Sequence, residues 1–222
     1  MKQTIVLSLG GSIIFPNDID INFLKRFRKV IISLLPKYKF IIICGGGKIC
    51  RDYINASKQI IKNKNIVYDR LGIKVTEVNA ELIKSIFTDY NAKVYPDYRK
   101  KVNFKHILIG CGFLPGTSTD FDAVMFAHYY NAKTLINISN IEYVYTKDPK
   151  KYKDAEKIEK ISWKDFRKIV GDEWKAGMNL PFDPVASKKA EELRLKVIIL
   201  NKDLDNFKNC LEEKKFKGTV IK

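Results

Sequence analysis

The stretch Phe40-Ile41-Ile42-Ile43-Cys44-Gly45-Gly46-Gly47-Lys48, followed by Arg51, decides the fold. An apolar, β-branched run predicts a buried strand. It ends in three consecutive glycines, and a helical pattern with a basic first turn follows. Glycines remove every Cβ, so a ligand can lie directly on backbone N–H groups. A helix N-terminus behind them adds partial positive charge. The combination predicts a phosphate held at the C-terminal end of a strand. A tight turn with no ligand is the alternative, although a turn needs only one glycine.

The same transition recurs on both sides. Upstream, Thr4 to Leu9 reads as a strand running into Gly10-Gly11-Ser12. Downstream, Ile107-Leu108-Ile109 ends in Gly110-Cys111-Gly112, then Phe113-Leu114-Pro115-Gly116-Thr117-Ser118-Thr119-Asp120 opens a helix to Tyr130. The adjacent hydroxyls of Thr117, Ser118 and Thr119 suit phosphate oxygens at a helix N-terminus, and Asp120 reads equally as that helix's N-cap.

Between these turns, Asn17-Asp18-Ile19-Asp20 offers caps for a helix. Its apolar positions are Ile21, Leu24, Phe27, Val30, Ile31, Leu34 and Leu35, and Pro36 stops it. Strand, helix, strand implies a parallel sheet. Ile49, Tyr53, Ile54, Ile60 and Ile61 predict a helix after the triplet, with Arg51 on its first turn as a phosphate ligand or a solvated charge. Val75 to Phe87 reads as a long helix. Asp69, placed where loop meets helix, is a cap or an acceptor of sugar hydroxyls, and Asn79 needs a partner if buried.

Lys93 to Tyr95 reads as a short strand, Asp97 to Lys105 as an exposed basic stretch, and Thr134 to Ile138 as a strand running into Asn140. Lys147 to Lys160 reads as a charged excursion, Ser162-x-x-Asp165 as a capping box, and Gly171 to Met178 as a loop around Trp174. Phe182-Asp183-Pro184 opens a helix with Val185, Ala186, Ala190 and Leu193 inward. Val197 to Leu200, Leu204 to Leu211 and Thr219 to Ile221 read as strand, helix and closing edge strand. The alternation over 222 residues predicts one α/β domain.

Composition narrows the function. No apolar run reaches about 18 residues, so no membrane span is expected. The N-terminus shows no cleavable signal pattern, which predicts a cytosolic protein. Cys44, Cys50, Cys111 and Cys210 form no Cys-x-x-Cys pair, and His106 and His128 stand alone, so no zinc site is expected. The net charge of +16 invites nucleic acid, but only seven of 41 basic residues are Arg and the lysines are scattered. Attraction of small anionic substrates is the better use of that field.

In order and spacing these motifs resemble the amino-acid-kinase fold, and within it the archaeal-type uridylate (UMP) kinases. The resemblance rests on Leu9-Gly10-Gly11-Ser12, Gly45-Gly46-Gly47-Lys48 with Arg51 and Asp52-Tyr53-Ile54, Asp69 with Gly72, and Asn79-Ala80. It continues through Pro115 to Asp120, Asn140 with Val144-Tyr145, Asp148-Pro149, and Ala176-Gly177 with Asp183-Pro184. It implies a single-domain three-layer α/β/α sandwich with a mostly parallel central sheet. The expected activity is transfer of the ATP γ-phosphoryl group to UMP, with Mg²⁺ accompanying ATP, in a homo-oligomer, a hexamer. The N-terminal part would serve the acceptor and the C-terminal part ATP.

Carried over by motif, the catalytic set is Gly10, Gly11, Ser12, Arg51 and Asp120. The UMP set is Gly46, Asp69, Phe113, Leu114, Pro115, Gly116, Thr117, Ser118 and Thr119. The ATP set is Ser8, Leu9, Gly10, Gly11, Ser12, Gly47, Arg51, Ser139, Asn140, Tyr145 and Asp148. No side chain is assigned to a metal. Transfer between two anionic phosphates needs alignment and charge neutralisation, so the lack of a His or Cys nucleophile is no objection.

Two positions depart from the pattern. Much of the wider superfamily has lysine where this chain has Ser8, which leaves Lys48, Arg51 or Mg²⁺ to neutralise the phosphates. A glycine in the family's Asn-x-Asp-Gly-x-Tyr is Tyr143 here, which should reshape the loop over the ATP base. Cys44 replaces the histidine typical of isopentenyl phosphate kinases and argues against a prenyl acceptor. The remaining alternatives are another small phosphate monoester as acceptor, or a nucleotide-binding protein that has lost its chemistry.

Overall fold

The computed structural model describes residues 2–173 and 180–222. In chain order the elements are β1 (Gln3–Leu9), α1 (Gly11–Ile14), α2 (Ile21–Leu34), β2 (Tyr38–Cys44), α3 (Gly47–Ile60) and α4 (Asn65–Ser85). A short 3-10 turn, Thr88–Tyr90, leads to β3 (Lys93–Val94), β4 (Ile107–Gly110), α5 (Thr119–Tyr129), β5 (Thr134–Ile138) and β6 (Val144–Tyr145). Then come β7 (Lys157–Ile158), β8 (Lys160–Ile161), α6 (Trp163–Val170), α7 (Pro184–Glu192), β9 (Lys196–Leu200), α8 (Leu204–Leu211) and β10 (Thr219–Ile221). Trp174, Ala176 and Gly177 of the sequence pattern lie outside the described residues.

Eight strands form one sheet in the order β3-β4-β2-β1-β5-β9-β10-β8. Every pairing is parallel except β9 with β10. Strand alternation sorts the core onto two faces. Ile5, Leu7, Leu9, Phe40, Ile42 and Cys44 face α1, α2, α4 and α8. Val6, Ile41 and Ile43 face α5, α6 and α7. A sheet buried on both sides explains the continuous apolar runs, and the result is the three-layer α/β/α sandwich. Ser8 falls on the α5 side of this alternation, which decides what it meets.

Several local expectations are corrected. α4 begins at Asn65, so Asp69 lies inside a helix and is not a cap. Ser118, not Asp120, caps α5, accepting from Phe121 N–H at 3.1 Å. Arg51 is the fifth residue of α3 and so on its second turn. Within the basic stretch expected to be exposed, Tyr98 is buried, and Val102 and Phe104 are half-buried against the core. Val185 points outward while Ala186, Ser187 and Ala190 are buried. β10 lies inside the sheet, and β8, from the charged excursion, forms the edge.

Candidate active site

β1, β2, β4 and β5 run in parallel, so their C-terminal ends share one edge of the sheet. From β1 the chain passes to β2, then to the edge strand β3 and back to β4 between them, before it crosses to place β5 on the other side of β1. This reversal opens a crevice at the carboxyl ends of the central strands, the usual ligand site of open α/β sheets. Gly10, Gly45, Cys111-Gly112 and Ser139 leave their strands there.

The two glycine loops pack backbone on backbone. A Cβ on Gly11 would stand 1.9 Å from Gly47 N, 2.5 Å from the Gly46 carbonyl carbon and 2.6 Å from that of Gly45. A Cβ on Gly45 would stand 2.5 Å from Gly11 N. Gly47 has φ +71°, and a Cβ there would meet Gly11 O at 2.3 Å. Gly46 answers to Cys50, whose Cβ and Sγ lie 2.5 and 2.8 Å from its own missing Cβ. Gly45 and Gly47 are glycine because the two loops must touch, and Gly46 because Cys50 stands against it, requirements that precede any ligand. Asn79, buried on α4, donates to the carbonyls of Gly45 (2.8 Å) and Gly46 (3.3 Å) and finds the partner its burial demands. Gly10 N–H donates to Ile138 O at 3.0 Å, which ties this pair of loops to the start of the Ser139-Asn140 turn. Ser12 lies in the single turn of α1, immediately behind Gly11.

Ser8 donates to Asp120 Oδ1 at 2.9 Å, where much of the superfamily has lysine. Asp120 is half-buried with its carboxyl turned inward, and Oδ2 accepts from Asp183 N–H at 3.3 Å. Burial raises its pKa to about 6; the Ser8 bond opposes that and the Asp183 charge adds to it. It is therefore mostly ionised at pH 7. Asp183 caps α7 through Ala186 N–H at 2.5 Å, and burial raises its pKa also. Lys48 is paired with Asp52 at 2.5 Å on the exposed side of α3, an interaction of about 1 kcal/mol or less. Arg51 is exposed.

The 113–119 loop is pinned from α4. Thr76 Oγ1 accepts from Gly112 N–H, and an Asp69 oxygen accepts from Gly116 N–H, both at 2.9 Å. Gly116 has φ +83°, which glycine allows. Thr117 Oγ1 folds back to Leu114 O at 2.7 Å, while Leu114 is exposed and Phe113, Pro115 and Thr119 are half-buried. On the other side, Ser139 Oγ accepts from Ile141 N–H and Asn140 is exposed. Tyr145 lies on the separate β6–β7 pair, and Asp148 binds Lys150 N–H within its own turn. Tyr143 is buried beneath Lys157, whose Nζ is 5.0 Å from the ring centroid. The Gly10, Gly45–Gly47 and Asp120 group thus forms one constellation, Asp69 joins the 113–119 loop, and Tyr145 with Asp148 stands apart. Sequence reasoning missed Thr76 as an anchor; a threonine within a helix carries no local signal for that role.

Glycine loops, an inward carboxylate and helix N-termini are gathered at one edge of a mostly parallel α/β sheet. The chain belongs to the amino acid kinase family, whose pattern it matches over residues 3–201. It is 35% identical over 220 residues to the uridylate kinase of Thermoplasma volcanium, covering 96% of this chain and 95% of that one. It is 32% identical over 225 residues to the uridylate kinase of Thermococcus sibiricus, covering 98% of each. Its structure is similar to the crystal structure of uridylate kinase from Archaeoglobus fulgidus, with TM-score 0.84, 29% identity and all of both chains covered.

Proposed function

We propose that this protein is an ATP-dependent uridylate kinase, transferring the γ-phosphoryl group of ATP to the phosphate of UMP. The observation that carries the reading is the backbone contact of the Gly10-Gly11 and Gly45–Gly47 loops at the crevice between the central strands. Full-length likeness to uridylate kinases supports the choice of acceptor. In this reading Gly10, Gly11 and Ser12 surround the transferring phosphate. Gly47 and Arg51 meet the phosphates nearer ATP, and Gly46 meets the UMP side. Asp69 holds the UMP ribose, and the 113–119 loop covers the base and phosphate. Ser139, Asn140, Tyr145 and Asp148 hold the adenosine part. The N-terminal half serves UMP and the C-terminal half ATP.

No group of three or more His, Cys, Asp or Glu is arranged to hold a metal among the described residues. In this reading Mg²⁺ accompanies ATP and would supply charge neutralisation at its phosphates. Asp120 completes the site between Ser8 and Asp183. No described helix is long and apolar enough to cross a membrane. The reading includes a cytoplasmic setting within pyrimidine nucleotide synthesis and a hexameric assembly, for which the family resemblance is the support.

The test is ADP release from Mg-ATP with UMP, CMP, AMP, isopentenyl phosphate or no acceptor. Release that depends on UMP supports the reading, and release with another acceptor alone replaces it. Two variants examine the assignments. Arg51→Ala should lower transfer about 100-fold or more with normal melting, as loss of a cation aimed at developing phosphate charge does; unchanged rates would remove Arg51 from the site. Asp69→Asn should weaken UMP binding about tenfold, through loss of a charge-assisted bond to ribose and a weaker hold on Gly116, with ATP binding unchanged. Equal loss of both ligands in calorimetry would contradict the ribose role.

A further inference from the structure

Asp122 is the fourth residue of α5. It is 0% exposed, and neither carboxyl oxygen has a hydrogen-bond partner among the described residues. Its helix neighbours Ala123, Val124 and Phe126 belong to the apolar cluster on that face of the sheet. Folded proteins leave few buried polar atoms unpaired, and a carboxyl costs more to strand than a neutral group. Two stranded oxygens on one side chain point to a partner supplied in another state of the molecule.

The surroundings identify that partner. Asp122 lies one turn before Phe126 on α5, Phe126 packs against Tyr98 at 6.0 Å, and Tyr98 packs in turn against Phe113, so the carboxyl lies on the helix face turned toward the segment that leaves β4. The backbone N–H of Phe113 acts on the carboxyl, yet no bond of good geometry is made. The segment around Phe113 is anchored at Gly112 by Thr76 and at Gly116 by Asp69. Between those points Phe113 is held through its ring, edge-on to Tyr98 at 5.4 Å and beneath the Arg99 guanidinium at 4.7 Å. Ring contacts of this kind tolerate a small shift of the backbone that carries them. Phe113 lies between the two anchored positions and makes no backbone hydrogen bond of its own among the described residues.

We propose that Asp122 is a positioning residue for the acceptor: acceptor binding draws the Phe113 backbone N–H onto the buried carboxyl and locks the 113–119 loop over the substrate. The inference rests on the reading of that loop as the acceptor wall. It gives the stranded carboxyl a partner in the closed state, and it turns relief of an unpaired buried group into acceptor affinity. Asp122 touches no reacting atom; it acts through Phe113.

The experiment is calorimetric titration of UMP and, separately, ATP into wild type, Asp122→Val and Asp122→Asn, with thermal melts of all three. Val removes the acceptor oxygens, and it should bind UMP about tenfold more weakly, the worth of one hydrogen bond to a buried acceptor. ATP affinity should not change. Asn keeps one carbonyl oxygen for the Phe113 N–H and should recover most of the UMP affinity. A Val variant that melts higher and binds UMP as tightly as wild type would overturn the proposal. So would equal loss of both ligands, which marks a packing role alone. Wild type that binds ATP but not UMP would remove the acceptor reading itself, and this inference with it.

Discussion

Gly11→Ala lowers kcat/KM for phosphoryl transfer by about 100-fold or more, because a displacement of about 1 Å in a phosphate-aligning site has that effect. The added methyl would lie 1.9 Å from Gly47 N and within 2.6 Å of two further backbone carbons. No rotamer relieves the clash, since every atom involved is main chain. The β1–α1 and β2–α3 connections must separate, and the proposed phosphate site between them is misaligned. Forcing atoms into a packed interior destabilises by about 1–3 kcal/mol, so the melting temperature falls by several degrees as well. Gly171→Ala is the control. It caps α6 with φ +78° and nothing within 4 Å of its missing Cβ. It should cost about 1 kcal/mol of backbone strain and leave the rate untouched. Steady-state kinetics and melts of the two variants decide the matter. A Gly11→Ala enzyme with wild-type rates would mean that the loop contact does not align the site.

Asp122→Val stabilises the protein, and the gain grows with pH. Burial raises the folded-state pKa of Asp122 from 3.8 to about 8. A raised acid favours the neutral form in the fold. Its stability contribution is therefore intact below about pH 4 and is lost progressively as pH rises to about 8. Between pH 5 and pH 9 the loss attributable to this group is about 4 kcal/mol at most, from 1.36 kcal/mol per pH unit of difference. Valine has nothing to ionise. Urea unfolding at the two pH values should show a wild-type midpoint that drops and a variant midpoint that holds or drops much less. Parallel pH dependence in both proteins would mean that Asp122 is solvated or paired in the fold. The same substitution is expected to weaken acceptor binding, a trade of function for stability common at working sites.

The fold was legible wherever burial follows a period. β2 could be placed from its continuous apolar run, and α2 and α8 from the spacing of their apolar residues, because the faces they bury are unbroken. The start of α4 was not legible, because no side chain caps it: Lys64 holds the N-cap position, and Tyr68 Oη secures the turn through Asn63 N–H and Ile61 O. That is why Asp69 read as a boundary residue when it lies inside the helix. The glycine turns were visible, but their mutual contact was not, since Gly11 and Gly47 meet only through the pairing of β1 with β2. Ser8 stood out as a departure from the family pattern. Its partner Asp120 is 112 positions away and could be found only once strand alternation turned Ser8 toward α5. Asp122 gave no signal, because a single acid in a short helix reads as a surface residue.

The most direct measurement of the central claim is the fate of the phosphoryl group itself. ATP labelled at its γ-phosphate is incubated with Mg²⁺, UMP and the protein, and the products are separated chromatographically. The account predicts label in UDP, dependent on UMP and sharply reduced in Gly11→Ala. Label that stays on ATP, or appears only as free phosphate, while the folded protein binds both nucleotides, would contradict it.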